Sequence, residues 1–294
     1  PGSIKFSFYL VVSLMLIYGS VLFSNRVKNW ERGTPDNRST NKKNIKARFS
    51  DFKAGVFMKT LLRDPAAGVM HSLMYFPFLI LLAVTTTLEI NHQLPESMKF
   101  LHGDVYRAYT AVGDIAGVLF LIGVVWALLR RYGPKRFRPY RIRIKSKPEH
   151  AVVLLIFLSI GVTGFGAEAF RIALVESSAR GAETWSIIGY PLAKIVDSSD
   201  SLTNNVRGWH QFWWIAHVIS FIAFLALLPI TMIRHMFTSP LNMYLKDRER
   251  PKGAMKPLPN LMETELETFG ASVIEDFTWK QLLDTDSCTM CGRC

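Results

Sequence analysis

The chain alternates between long apolar blocks and short, strongly charged connections. Five blocks stand out: residues 4–24 (IKFSFYLVVSLMLIYGSVLFS), 66–90, 105–129, 151–174 and 209–237. A helix needs roughly 20 mainly apolar residues to cross a bilayer, and each block reaches that length. The pattern predicts an all-α membrane protein with five transmembrane helices. The first block could pass for a signal sequence, but its apolar core is too long for one and no small-residue cleavage site follows. Beyond residue 237 the chain turns polar. Residues 238–287 hold a Pro- and Lys-rich stretch (RERPKGAMKPLPN) and then an acidic amphipathic stretch, read as a cytoplasmic linker. Residues 288–294 open a further, soluble domain. The chain begins at Pro1 and stops on Cys294, so it is expected to be part of a longer protein.

Composition changes this picture little, and charge sharpens it. The chain has 294 residues, 49% hydrophobic, with a net charge of +12. In a soluble protein such basicity would suggest nucleic acid. Here the cations sit between the apolar blocks, which points to membrane topology instead. Residues 25–65 carry eleven Lys/Arg and residues 130–149 carry nine, whereas residues 91–104 have only Lys99 and residues 176–208 only Arg180, Lys194 and Arg207. The positive-inside rule puts the basic connections in the cytoplasm. A multi-pass protein of the inner (cytoplasmic) membrane is expected, its N-terminus outside and its C-terminus cytoplasmic. Trp126, Trp209, Trp213 and Trp214 near block ends suit an aromatic belt.

The three cysteines all fall in the last seven residues, as Cys288-Thr-Met-Cys291-Gly-Arg-Cys294. A disulfide framework is not expected from so few. The C-x2-C-x2-C spacing is that of the first three ligands of a bacterial ferredoxin-type run. Short steps let one loop wrap a cubane, each thiolate reaching a different iron. A complete [4Fe–4S] site needs a fourth thiolate, expected beyond Cys294. Zinc is the alternative, in a membrane protein without redox function, but zinc knuckles pair two C-x2-C halves or add histidines.

Seven histidines are present: His71, His92, His102, His150, His210, His217 and His235. His71 and His217 lie inside blocks, and His210 and His235 near the ends of the fifth. Metal-binding side chains at membrane depth are functional candidates by default, and haem b takes two imidazoles at matching depth. At a rise of about 1.5 Å per residue, His71 lies about 10 Å to the cytoplasmic side of its block's centre, His235 about 20 Å to the same side and His217 about 8 Å to the other. An inner haem held by His71 and His235 is expected. His217 is a candidate ligand for a second haem, with His210 a weaker candidate. One haem between His71 and His217 is the alternative. His150 reads as an interfacial residue.

Two further polar features lie in the blocks. Glu168 and Arg171, three apart, share a helix face; they read either as a proton-handling pair beside a quinone pocket or as an interfacial ion pair. Asp114, inside the third block, needs a partner, such as an arginine or a group near a haem.

Five spans, histidines in the second and fifth, and the eighteen-residue step from His217 to His235 resemble the gamma subunit of respiratory nitrate reductase, a dihaem b quinol-oxidising protein. In that family a second histidine lies about three turns further along the second helix. Leu81 stands there in this chain, so an outer haem is missing or uses another ligand. The chain is also similar to a fusion family in which such a membrane domain precedes a heterodisulfide-reductase-like iron–sulfur domain. The segments 210–217 (HQFWWIAH), 239–242 (SPLN), 163–165 (TGF), Glu168 to Arg171, and 277–283 (FTWKQLL) leading into Cys288 carry that resemblance. It implies a five-helix haem b bundle over residues 1–237, followed by the start of a ferredoxin-like domain. It further implies a quinone oxidoreductase. Electrons would pass from an electron-transfer flavoprotein or another soluble redox protein, through [4Fe–4S] clusters and one or two haem b groups, to menaquinone. The missing C-terminal portion or partners would be needed for full activity. The membrane anchor of a heterodisulfide- or sulfite-reductase-type complex would use the same parts to oxidise quinol.

Overall fold

The computed structural model describes residues 2–36, 42–59, 61–137, 146–175, 180–246, 260, 262–265, 270–289 and 291. Five helices are long and apolar enough to cross a membrane: α1 (Gly2–Glu31, apolar from Phe6), α3 (Pro65–Gln93), α4 (Gly103–Tyr132), α5 (Pro148–Ala173) and α8 (Val206–Leu227). The first four coincide with the predicted blocks, and α8 covers the first part of the fifth. Shorter helices connect or follow them: α2 (Lys42–Val56), α6 (Gly189–Asp197), α7 (Asp200–Thr203), α9 (His235–Tyr244) and α10 (Trp279–Asp286). The described residues contain no strand, only one isolated bridge between Thr34 and Thr278. The chain divides into two compact units, residues 61–227 and residues 1–60 with 228–294.

In the first unit α3, α4, α5 and α8 pack together. Each contributes one phenylalanine to a central layer. Phe78 lies 6.3 Å from Phe120, 6.1 Å from Phe157 and 5.5 Å from Phe224 between ring centroids, and Phe157 lies 5.8 Å from both Phe120 and Phe224. In a bilayer, where lipid is as apolar as these rings, complementary packing rather than water exclusion would hold such helices together. Asp64 caps α3, its carboxylate accepting from Ala67 N at 3.3 Å, and Pro65 fills the first helical position where no N–H is needed. The same carboxylate meets Arg130 of α4 at 3.4 Å. At the other end of the bundle Arg180 closes α5. It donates to Ala173 O at 2.9 Å and Val175 O at 2.7 Å, two carbonyls at the helix end, and pairs with Asp197 of α6.

His150, expected at an interface, is 1% exposed. Its Nδ1 accepts from Lys147 N at 3.1 Å and from Arg131 Nη1 at 2.9 Å. The ring thus caps the first turn of α5, where unsatisfied N–H groups need acceptors.

In the second unit α9 packs on α2 and α10. Phe49 meets Tyr244 at 5.5 Å, and Arg48 donates to Tyr244 O at 3.4 Å. Phe23 of α1 bridges Trp30 (5.9 Å) and Phe237 (6.4 Å). Thr34 N donates to Phe277 O at 2.8 Å and Trp279 N to Thr34 O at 3.1 Å, tying the start of α10 to the chain after α1. Gly33 makes this possible: a Cβ there would lie 2.5 Å from Trp279 N. Thr278 caps α10 by accepting from Gln281 N at 3.3 Å, and the Gln281 side chain accepts from Thr278 N at 2.9 Å.

The fifth block departs from expectation. It is not one helix to residue 237: α8 ends at Leu227, and His235 opens α9. Pro229 disfavours helical backbone at Leu228 and lacks an N–H, which explains the stop. Thr231 caps the short turn that follows, accepting from Ile233 N at 3.3 Å. Arg26 Nε donates to Pro229 O at 3.0 Å and Arg234 Nη1 to Thr231 O at 2.8 Å, covering carbonyls that the break exposes. The eighteen-residue step from His217 to His235 therefore does not measure a rise along one helix, and the depth expected for His235 from a single continuous helix does not apply.

Candidate functional site

His217 sits on α8 against α5. Its Nδ1 lies 3.1 Å from Ile160 O and 3.1 Å from Thr163 Oγ1. Thr163 gives its own proton to Ser159 O at 2.6 Å, so towards His217 its oxygen can only accept. Both neighbours of Nδ1 are acceptors, and Nδ1 must carry the ring proton. The lone pair is then on Nε2, the arrangement that orients a metal-binding imidazole. Gly164 gives the ring room, since a Cβ there would come within 3.3 Å of His217 Cε1. His235 repeats the pattern. Its Nδ1 lies 2.6 Å from Met232 O, which also puts the lone pair on Nε2. The donor chemistry of both rings fits haem iron.

His71 is half-buried on α3, one turn before Tyr75, with ring centroids 6.3 Å apart. His71 and His217 belong to the unit of residues 61–227, His235 to the other. His210 lies in the first turns of α8, two turns before His217.

The cysteine segment follows α10 directly. Cys288 N bonds to Thr285 O at 3.2 Å. Neither Cys288 nor Cys291 forms a disulfide among the described residues. Cys294 lies outside the described residues. Among the described residues no three His, Cys, Asp or Glu side chains gather as a complete metal site.

The polar groups of α4 and α5 form a cluster with the 180–189 segment. Arg171 does not turn to Glu168. It grips Glu183 with two parallel bonds, Nη1 to Oε1 at 2.9 Å and Nη2 to Oε2 at 3.0 Å. Tyr106 OH adds a third bond to Glu183 Oε1 at 2.9 Å. Burial alone would push the Glu183 carboxyl up, but the Arg171 bonds and charge outweigh it, aided by Tyr106, and hold the pKa below the ordinary carboxylate value. Asp114, 2% exposed, is partnered by backbone amides rather than by an arginine. Its Oδ2 accepts from Ile188 N at 2.6 Å and Gly189 N at 3.1 Å. Glu168 faces Asp114 within hydrogen-bonding reach, beside the fully buried Ser186.

Sequence reasoning missed Glu183 and the amides of Ile188 and Gly189. No local signal marks them, because their partners lie on other helices 12 to 77 residues away.

Comparison with known proteins places these features in context. The chain is 34% identical over 246 residues to the "EtfAB:quinone oxidoreductase" of Syntrophomonas wolfei subsp. wolfei (strain DSM 2245B / Goettingen), covering 80% of this chain and 32% of that protein. It is 28% identical over 237 residues to the "Probable iron-sulfur-binding oxidoreductase FadF" of Bacillus subtilis (strain 168), covering again 80% and 32%. The chain thus spans about a third of the length of the curated relatives it matches. No family model matches it. No solved structure matches it either.

Proposed function

Since the chain is EtfAB:quinone oxidoreductase-like, akin to iron–sulfur membrane oxidoreductases, we propose that it is the membrane portion of an enzyme passing electrons between cytoplasmic [4Fe–4S] clusters, haem b and menaquinone. An electron-transfer flavoprotein is the donor. Cys288, Cys291 and Cys294 supply three thiolates to a cluster. His71, His217 and His235 are the haem ligands, and haem supplies one-electron redox chemistry at membrane depth. The protein's own residues orient and protonate. Thr163 and Ile160 O fix the His217 ring, and Met232 O fixes His235. Glu168 handles the proton that quinone reduction takes up, and Arg171 lies one helical turn away on the same face. The C-terminus is cytoplasmic, as the basic connections require.

The single observation carrying this reading is that His217 and His235 each present Nδ1 to a backbone carbonyl, leaving Nε2 as the ligating nitrogen. The test is a reduced-minus-oxidised visible spectrum of the holoprotein with its His71→Ala, His217→Ala and His235→Ala variants. The expected result is a b-type α-band that each substitution diminishes. A wild-type spectrum without that band, or variants that keep all their haem, would overturn the haem assignment. Reduced flavoprotein that fails to reduce a menaquinone analogue through the holoenzyme would overturn the donor.

A further inference from the structure

The cysteine segment is tied down through one carboxylate. Asp286 closes α10, two residues before Cys288. Its Oδ1 accepts from Arg26 Nη1 at 2.9 Å and from Arg234 Nε at 2.9 Å. The two arginines come from distant parts of the chain, Arg26 from the last turns of α1 and Arg234 from the residue before His235. Neither is loose, because each also bonds a backbone carbonyl at the break after Leu227. One residue further on, Ser287 Oγ donates to Thr238 O on α9 at 3.1 Å. At the opposite end of α10 the Thr34 bridge fixes the first turn. The helix is held at both ends, and Cys288 leaves it from a fixed point, three residues after Thr285.

The charges make the clamp more than a fastener. A cluster held by thiolates is anionic. The C-terminus of a helix presents partial negative charge, and Asp286 adds a full one. Alone, these would repel the thiolates. Arg26 and Arg234 bring two positive charges against the one of Asp286, so the clamp itself carries a net charge of +1. Asp286 and Arg234 also link the cysteine segment to the turn that ends at His235.

We propose that Asp286, clamped by Arg26 and Arg234, is the positioning residue that fixes the point where Cys288 leaves α10 beside the helix headed by His235, and sets the potential of the cluster that Cys288 helps to hold. This rests on the iron–sulfur reading above. Removing a negative charge beside an anionic cluster favours its reduced form, and removing a positive charge favours the oxidised form. Outer partners of a metal site also govern its affinity, by about 10- to 100-fold.

The experiment is a redox titration of the full-length holoprotein monitored by EPR, following the signal that Cys291→Ser abolishes. Asp286→Asn, which keeps the shape and loses the charge, is expected to move the midpoint to a more positive potential. Arg26→Gln and Arg234→Gln are expected to move it the other way. Asp286→Ala is expected to weaken cluster retention about tenfold. Should Asp286→Asn fail to accumulate, the arginine variants and Asp286→Glu, which keeps the charge and the midpoint, carry the same comparison. Unchanged midpoints, or shifts of one sign for both the aspartate and the arginine variants, would overturn the clamp while leaving the cluster in place. A signal that survives Cys291→Ser would remove the iron–sulfur reading itself, and the clamp with it.

Discussion

Replacing Glu183 with glutamine changes one atom and removes one charge, so it probes the Arg171 grip without altering packing. The carboxylate accepts three bonds, two from Arg171 and one from Tyr106, at 2.9 to 3.0 Å. Its side chain is 9% exposed, whereas that of Arg171 is 39% exposed. Breaking a fully buried pair costs about 3–5 kcal/mol, and an exposed one at most about 1 kcal/mol. With one buried partner and one partly solvated, the cost falls between, at about 2 kcal/mol. For a unit of this size that corresponds to a loss of roughly 4–8 °C in Tm. The pH dependence gives a second reading with a fixed sign. The folded-state pKa of Glu183 is lowered, so its contribution is complete above the unfolded carboxylate value of about 4.3. It is lost as pH falls through the lowered folded value. The measurement is thermal unfolding of detergent-solubilised wild type and Glu183→Gln from neutral pH to below 4. The gap in Tm should be full at pH 7 and close only at the acid end. Equal Tm values at pH 7, or a gap that persists undiminished under strongly acidic conditions, would refute the grip as described. A double-mutant cycle with Arg171→Gln should return a coupling of similar size.

Other sites yield equally direct expectations. Thr163→Val removes an acceptor from His217 Nδ1 but leaves Ile160 O; haem should still bind, about tenfold more weakly, with a shifted α-band or midpoint in the visible spectrum. Gly33→Ala would drive a methyl group into the Trp279 backbone; the cost of about 1–3 kcal/mol should appear as faster proteolysis around α10, with the five long helices unchanged by circular dichroism. Phe120→Ala deletes a ring that is 1% exposed and packed on Phe78 and Phe157; a loss of about 3 kcal/mol is expected, measured as a fall in Tm of the detergent-solubilised protein.

The five long helices were legible because a run of some 20 apolar residues is a local property that the bilayer reads directly. The break at 228–231 was written in the chain as Leu228-Pro229, but the run of apolar residues on either side concealed it. His217 and His235 stand out in sequence as imidazoles within an apolar run. The carbonyls that fix their tautomers could not, because Ile160 and Met232 contribute only backbone. Glu168 and Arg171 show the limit of spacing rules. Three residues apart they were natural partners, yet Arg171 found a better-shaped carboxylate in Glu183, twelve residues on and outside the helix. Asp114 likewise takes its bonds from amides 74 and 75 residues later. Asp286, in an acidic stretch that reads as solvated linker, gave no hint of two arginines 260 and 52 residues away.

The layer of Phe78, Phe120, Phe157 and Phe224 also orders events during synthesis. Three of its rings belong to helices complete by residue 173, and the fourth arrives only with α8. As the nascent chain enters the bilayer in sequence order, α3, α4 and α5 face one another around an open seat until residue 224 has been made. The layer cannot be complete before α8 is made, so the helices that carry His71, Asp114 and Glu168 are synthesised ahead of the one that carries His217 and completes it.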